Sequence, residues 1–272
     1  MNDGIRNPAI LISAVLVAVA AVQSPDTVAP WAVNAIPEAQ QHAVVLTRGP
    51  TDEKKLALVF TGHEFAEGAS TILDALALGK ARASFFLTGD FLATPEFGPL
   101  VRRMIVEGHY LGPHSDKHLL YCSWDASRKL LVTRAQFSAD LEANLAKIER
   151  LGAKRSAIPY FLPPYEHYNQ QIADWTSEMG LTLINFTPGT RSNADYTEDG
   201  DTNFVSSQVI YDSIVKRESD DPRGLNGFLL LLHIGAGPRR TDKFHARFSA
   251  LLEYLSSKGY RFVRVDELLQ GK

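Results

Sequence analysis

Apolar positions along the chain recur with two alternating spacings. Short apolar-rich runs read as strands: LALVFT (56–61), ASFFLTG (83–89), HYLGPHS (109–115), AIPYFLPP (157–164), LTLINFT (181–187), GFLLLLHIG (227–235) and RFVRV (261–265). Between them lie stretches with helical spacing, at 70–79, 95–108, 133–152, 169–180, 206–219 and 243–259. Helix punctuation agrees. Pro95 opens one helix, serines at 206 and 207 cap another, and Gly79, Gly108 and Gly152 stand at helix ends.

Strand–helix alternation of this kind predicts parallel strands with helices outside them. A run such as FLLLL, apolar at every position, fits a strand covered on both faces. Seven such units favour an α/β barrel, although spacing alone also allows an open sheet. No linker divides residues 51–272, which read as one catalytic domain.

Composition narrows the picture little. The chain has 272 residues, 45% hydrophobic and 22% charged, with a net charge of −3. No basic excess points to nucleic acid or to an anionic membrane surface. A single cysteine, Cys122, excludes an internal disulfide. The N-terminus is more specific. Pro8 to Val22 is apolar and uncharged, short for a membrane span but suited to the apolar core of a secretory signal. Residues 1–22 are expected to be a signal peptide or N-terminal hydrophobic segment, and 23–50 a linker or draped arm. Secretion or export to the periplasm follows, with no stable membrane span after cleavage. Oligomeric state is left open.

Ionisable residues gather where strands end. His63 and Glu64 follow the first strand, His114 and His118 the third, Glu166 and His167 the fourth, and His233 ends the sixth. In a parallel barrel these points share the C-terminal face, where barrel enzymes place their chemistry. His114 and His118 are four apart, so on a helical turn both imidazoles would share a face and could bind one metal ion. Pro163-Pro164 forces an extended chain that aims the Tyr165 backbone N–H and side chain into a cleft.

These stretches together resemble the polysaccharide deacetylase family, also called the NodB-homology or carbohydrate esterase family 4 group, over Leu56 to Leu269. The family's H-[S/T]-x-x-H stands here as His114-Ser115-Asp116-Lys117-His118. Its R-P-P-Y/F stands as Leu162-Pro163-Pro164-Tyr165, and its late Leu-x-His as Leu231-Leu232-His233. The resemblance implies a distorted (β/α)7 barrel that removes acetyl groups from N- or O-acetylated sugars with a divalent metal, often zinc. Two departures matter. The family's T-F-D-D-G is replaced: on that spacing Thr61 and Gly62 stand where both acids would be, and on the Asp-x-Asp spacing of some branches Thr61 takes the position of the base and His63 that of a metal ligand. Leu162 replaces the arginine that normally holds the base.

On this resemblance His63, His114 and His118 are the expected metal ligands, and Zn2+ the expected cofactor. His233 is the expected acid. Tyr165 would stabilise the oxyanion, and Leu231 would line the pocket for the acetyl methyl. Glu64, beside His63, is the first choice for the base, with Asp116 and Glu166 behind it. The expected partner is an acetylated carbohydrate. A non-catalytic carbohydrate-binding protein on the same fold is the alternative. In the loop 187–203, Arg191, Asn193 and Asp195 are placed to meet sugar hydroxyls, and Arg239 or Arg240 would reach the rim from the loop after the sixth strand.

Overall fold

The computed structural model describes residues 42–269; the leader expected at 1–22 and the stretch 23–41 lie outside the described residues. In chain order the elements are β1 (Lys55–Gly62), α1 (Ala69–Leu78), β2 (Ser84–Leu87), α2 (Gly89–Ala93), α3 (Gly98–Val106), β3 (Tyr110–Pro113), α4 (Arg134–Arg150) and β4 (Tyr160–Phe161). There follow α5 (Gln170–Glu178), β5 (Thr182–Leu183), α6 (Ser207–Asp220), β6 (Leu229–His233), α7 (Phe248–Ser257), β7 (Arg261–Phe262) and α8 (Val265–Leu269).

Every named strand pair is parallel, as the alternation predicts. One path runs β3-β2-β1-β6, and β4 pairs β5. The two sheets meet where Leu162 N–H donates to Pro113 C=O at 3.3 Å. On the far side the chain near Leu46 fills the gap: Leu46 bridges Ile184 just past β5, and Arg48 bridges Phe228 just before β6. The result is the distorted (β/α)7 barrel.

Much of the distortion sits at β7. Its hydrogen bonds go to the carbonyls of Lys54 and Leu56, on the even-numbered edge of β1 that also serves Thr88 after β2. The odd-numbered carbonyls of Lys55 and Thr61 accept from Gly227 and Ile234, around β6. So β7 lies in line with β2 on one edge of β1 and does not stand between β6 and β1.

Two hydrophobic layers explain the unbroken apolar runs. Successive side chains of a strand point to opposite faces. Ala57, Val59, Phe86, Tyr110, Tyr160, Leu162, Ile184, Leu229 and Leu231 form the inner cluster. Leu56, Leu58, Phe60, Phe85, Leu87, Leu230 and Leu232 belong to the outer cluster beneath the helices. Strands β4, β5 and β7 are only two residues long, much shorter than the apolar runs predict. Pro159, Pro163 and Pro164 flank β4 and carry no amide donor for a ladder. Helix starts follow their caps. Thr133 and Gln136 form a capping box on α4, and Asn169 and Ser206 cap α5 and α6.

Candidate active site

Strand parity delivers the histidines. The inward series Ala57, Val59 in β1 continues through Thr61 to His63. Leu229 and Leu231 lead to His233, and Tyr110 leads through Gly112 to His114. All emerge at one end of the barrel, where His63, His114, His118 and His233 line a single cleft of about 490 Å³. Gly62, on the outward parity, ends β1 against packed neighbours. A Cβ there would lie 2.9 Å from Ile234 Cδ1 and 3.0 Å from Leu87 Cδ2.

The loop bearing His114 and His118 is not helical, contrary to the expectation for that pair. Ser115 and His118 have φ of 74° and 52°, a left-handed conformation that is uncommon outside glycine. The buried Asp140 of α4 holds this shape. It accepts from Ser115 Oγ at 2.6 Å, Tyr121 OH at 2.6 Å, Lys117 N at 2.9 Å and Asp116 N at 3.2 Å. Asp116, considered for the base, is buried and ion-paired to Lys147 of α4 at 2.5 Å, and does not line the cleft.

His114 is fixed at two points. Its backbone N–H donates to Asn144 Oδ1 at 2.9 Å, and its Nδ1 lies 2.8 Å from the Leu162 carbonyl. That carbonyl can only accept, so Nδ1 carries the proton and Nε2 keeps its lone pair. Burial is the main cause that lowers the His114 imidazole to about 3, outweighing the Leu162 carbonyl. Burial, with the neighbouring imidazoles, takes His118 to about 2. Both are neutral at physiological pH.

His233 is set the other way. Its Nδ1 donates to Asp195 Oδ1 at 2.6 Å, and its backbone N–H to Asp195 Oδ2 at 2.9 Å. Burial alone would lower this imidazole, but the Asp195 carboxylate holds it above its ordinary value. Asp195 therefore orients His233 and does not reach for a sugar hydroxyl. Its loop is pinned by Arg240, which is fully buried and does not stand at the rim. The guanidinium donates to Thr197 O at 2.6 Å, Asp242 O at 2.7 Å and Val205 O at 2.9 Å.

Glu166 lines the cleft, where burial raises its carboxyl to about 7 against the opposing pull of His233. Tyr165 and Glu166 both have positive φ, 59° and 53°, and the Tyr165 ring packs on His118 at 4.3 Å. Glu64 also lines the cleft, but its side chain is 67% exposed, with Oε1 3.7 Å from His63 Nε2. Leu231 does not reach the cleft. It is 0% exposed in the inner cluster, paired in register with Val59, and Phe186 is the apolar residue that lines the cleft from beyond β5. Thr61 is buried, and its hydroxyl has no hydrogen-bond partner.

The three imidazoles expected to hold a metal are neighbours without converging. His114 and His118 are tilted by 54° at 5.2 Å, both neutral. His63 instead stacks on His118, with ring centroids 4.5 Å apart and planes within 17°. Imidazole lone pairs lie in the ring plane, so stacked rings hold theirs in nearly parallel planes. His63 Nδ1 also lies 3.2 Å from Thr88 Oγ1. Among the described residues no group of three His, Cys, Asp or Glu is placed to hold a metal ion. Of the three residues expected to hold a metal, His114 and His118 offer neutral imidazoles to a cation, while the His63 ring stacks on His118.

Residues 48–184 match the family described as polysaccharide deacetylase. A peptidoglycan-N-acetylglucosamine deacetylase of Bacillus cereus is 27% identical over 82% of this chain and 92% of its own length. The peptidoglycan-N-acetylmuramic acid deacetylase PdaA of Bacillus subtilis is 24% identical over 82% of this chain and 74% of its own. Among solved structures, a peptidoglycan N-acetylglucosamine deacetylase superposes with TM-score 0.67 at 21% identity, covering 84% of this chain and 94% of that one. A carbohydrate esterase family 4 pseudoenzyme from Bacillus anthracis superposes with TM-score 0.63 at 16% identity, covering 85% and 71%.

Proposed function

We propose, from the premise that the chain belongs to the polysaccharide deacetylase family, that it hydrolyses acetyl groups from an acetylated glycan. One observation carries the reading: the His233–Asp195 pair at 2.6 Å on the wall of a cleft that also holds Glu166. Asp195 uses both carboxylate oxygens on His233, one on the ring and one on the backbone, which fixes Nδ1 as the donor and turns Nε2 to the cleft. The imidazolium this favours protonates the leaving amine or alcohol. Glu166, with its carboxyl near 7, takes the proton of the attacking water in place of Glu64, whose carboxyl lies in solvent. A cation bound in the cleft would draw on His114 and His118 and would polarise the acetyl carbonyl. The apolar run at 8–22 fits a protein whose glycan lies outside the cytoplasm.

A second reading, glycan binding without hydrolysis, is favoured by one observation. Thr61 occupies the family's base position with a buried hydroxyl that touches no partner. Acetate release from acetylated oligosaccharides, assayed beside new reducing ends, separates the two. Acetate without reducing ends is expected, with a loss of about 100-fold or more in His233→Ala. Reducing ends would indicate glycosidic cleavage. Binding with no acetate released, with or without added divalent metal, would favour the second reading.

A further inference from the structure

Aromatic faces and charge around the cleft restrict the glycan. Among the described residues four aromatic side chains are exposed: Phe65, Trp124, Tyr165 and Tyr196. All four line this one cleft. Trp124 is the most open, at 61%. It is braced by His167 at 4.4 Å between ring centroids and by Tyr165 at 5.6 Å, nearly perpendicular. Its face is therefore set before any ligand arrives, and little ordering cost remains for binding. Ring contacts run outward from His118 through Tyr165 to Trp124. The two successive contacts are 4.3 Å and 5.6 Å between ring centroids, which offers more than one ring face along the cleft.

The charged side chains lining the cleft, apart from its histidines, are Glu64, Glu166 and Glu198, and no lysine or arginine lines it. Arg239 pairs with Glu198 at 2.6 Å from outside the lining. A sugar carboxylate entering here meets these carboxylates and, His233 apart, no cationic side chain to pair with, which disfavours acidic glycans. The C–H face of an uncharged pyranose covers an exposed aromatic ring at no electrostatic cost.

We propose that the cleft selects an uncharged acetylated glycan of at least two sugar units and rejects carboxylate-bearing glycans, with Trp124 as the platform for a unit beside the reacting one. This rests on the deacetylase reading and adds the substrate class and a specificity residue. The test titrates the full chain with uncharged N-acetylglucosamine oligomers and acetylated xylo-oligomers of one to five units, and with acetylated oligogalacturonate of matched length. Calorimetry reads affinity, and the tryptophan emission change that is lost in Trp124→Ala, where Trp31 and Trp175 remain, reads Trp124. In at least one uncharged series affinity rises at least tenfold from one unit to three, the emission changes, and oligogalacturonate binds at least tenfold more weakly. Trp124→Ala weakens the trimer about tenfold, and its effect on turnover falls on KM more than on kcat. Equal binding of charged and uncharged oligomers, or an unchanged KM in Trp124→Ala, overturns the inference while acetate release leaves the deacetylase reading standing. Length-dependent binding at Trp124 without acetate release does the reverse.

Discussion

Glu166 keeps its proton to about pH 7 because burial penalises the carboxylate more than His233 favours it. His233 keeps its own above the ordinary imidazole value because Asp195 stands against it. A base needs the first group ionised and an acid needs the second protonated, so kcat/KM should follow a narrow bell around neutrality. The acidic limb falls near pH 7 and the alkaline limb above 6.5, as macroscopic values of the pair. Glu166→Gln should remove the acidic limb and lower kcat by about 100-fold or more. Glu64→Gln should change kcat by less than about tenfold, since its carboxyl lies in solvent. If the two substitutions exchange these effects in a steady-state pH profile, Glu64 is the base after all. The positions of His63, His114 and His233 were legible in the sequence because strand parity fixes which residues leave the barrel inward. The attitude of a ring was not. Whether His63 faces His118 edge-on or stacks on it depends on contacts such as Thr88, twenty-five residues away, that leave no mark in local pattern.

Between strands, two loops carry the chemistry, and one buried charged side chain organises each. Asp140 collects four donors from the 115–121 segment, and Arg240 spends its donors on the carbonyls of Thr197, Val205 and Asp242. Asp140→Ala strands those donors in a buried setting, where each hydrogen bond to a charged acceptor is worth about 1.5–3 kcal/mol. A loss of at least about 3 kcal/mol is expected in urea unfolding. A midpoint within experimental error of the parent would show that water replaces the carboxylate. Arg240→Met keeps the aliphatic stem and removes the donors. It should lower kcat through a displaced Asp195, and the alkaline limb of the pH profile should move down, because Asp195 raises His233 by more than the nearby Arg240 charge lowers it. A drop in activity with that limb unmoved would assign Arg240 to stability alone. Neither residue was picked out correctly from sequence. Asp140 looks like any helix carboxylate, and Arg240 sits in a polar loop. Their partners lie across the fold, where periodicity says nothing. Helix and strand order was legible because apolar spacing and caps are local. Strand length was less so, since Pro159, Pro163 and Pro164 flank β4 and its ladder with β5 spans only two residue pairs.

The barrel as a whole is closed by a segment outside its strand–helix repeat. Leu46 N–H donates to Leu183 O at 3.1 Å and its carbonyl accepts from Asn185 N at 2.9 Å. Thr187 Oγ1 donates to Thr47 O at 2.5 Å and accepts from Leu229 N at 2.9 Å. Gly49 N–H donates to Gly227 O at 2.7 Å. Leu46 packs on the inner cluster and Val45 on the outer one. Without this arm two bonds among these closures still join the chain after β5 to β6, from Thr187 N to Leu229 O and from Leu229 N to Thr187 Oγ1. The loop leading to Asp195 leaves from that same edge, so barrel closure and placement of the acid are mechanically linked. A chain starting at residue 51 should therefore lose at least about 3 kcal/mol relative to one starting at 42, from several hydrogen bonds at about 0.5–1.5 kcal/mol each and the lost apolar packing. For a domain of this size that lowers Tm by about 10 °C. Below its Tm the shorter chain should also lose acetate release more than it loses glycan binding at Trp124, because Trp124 lies on the β3 side of the barrel. Equal melting of the two chains in a calorimetric scan would reduce the arm to a surface strap. Equal loss of both functions would uncouple Asp195 from the closure.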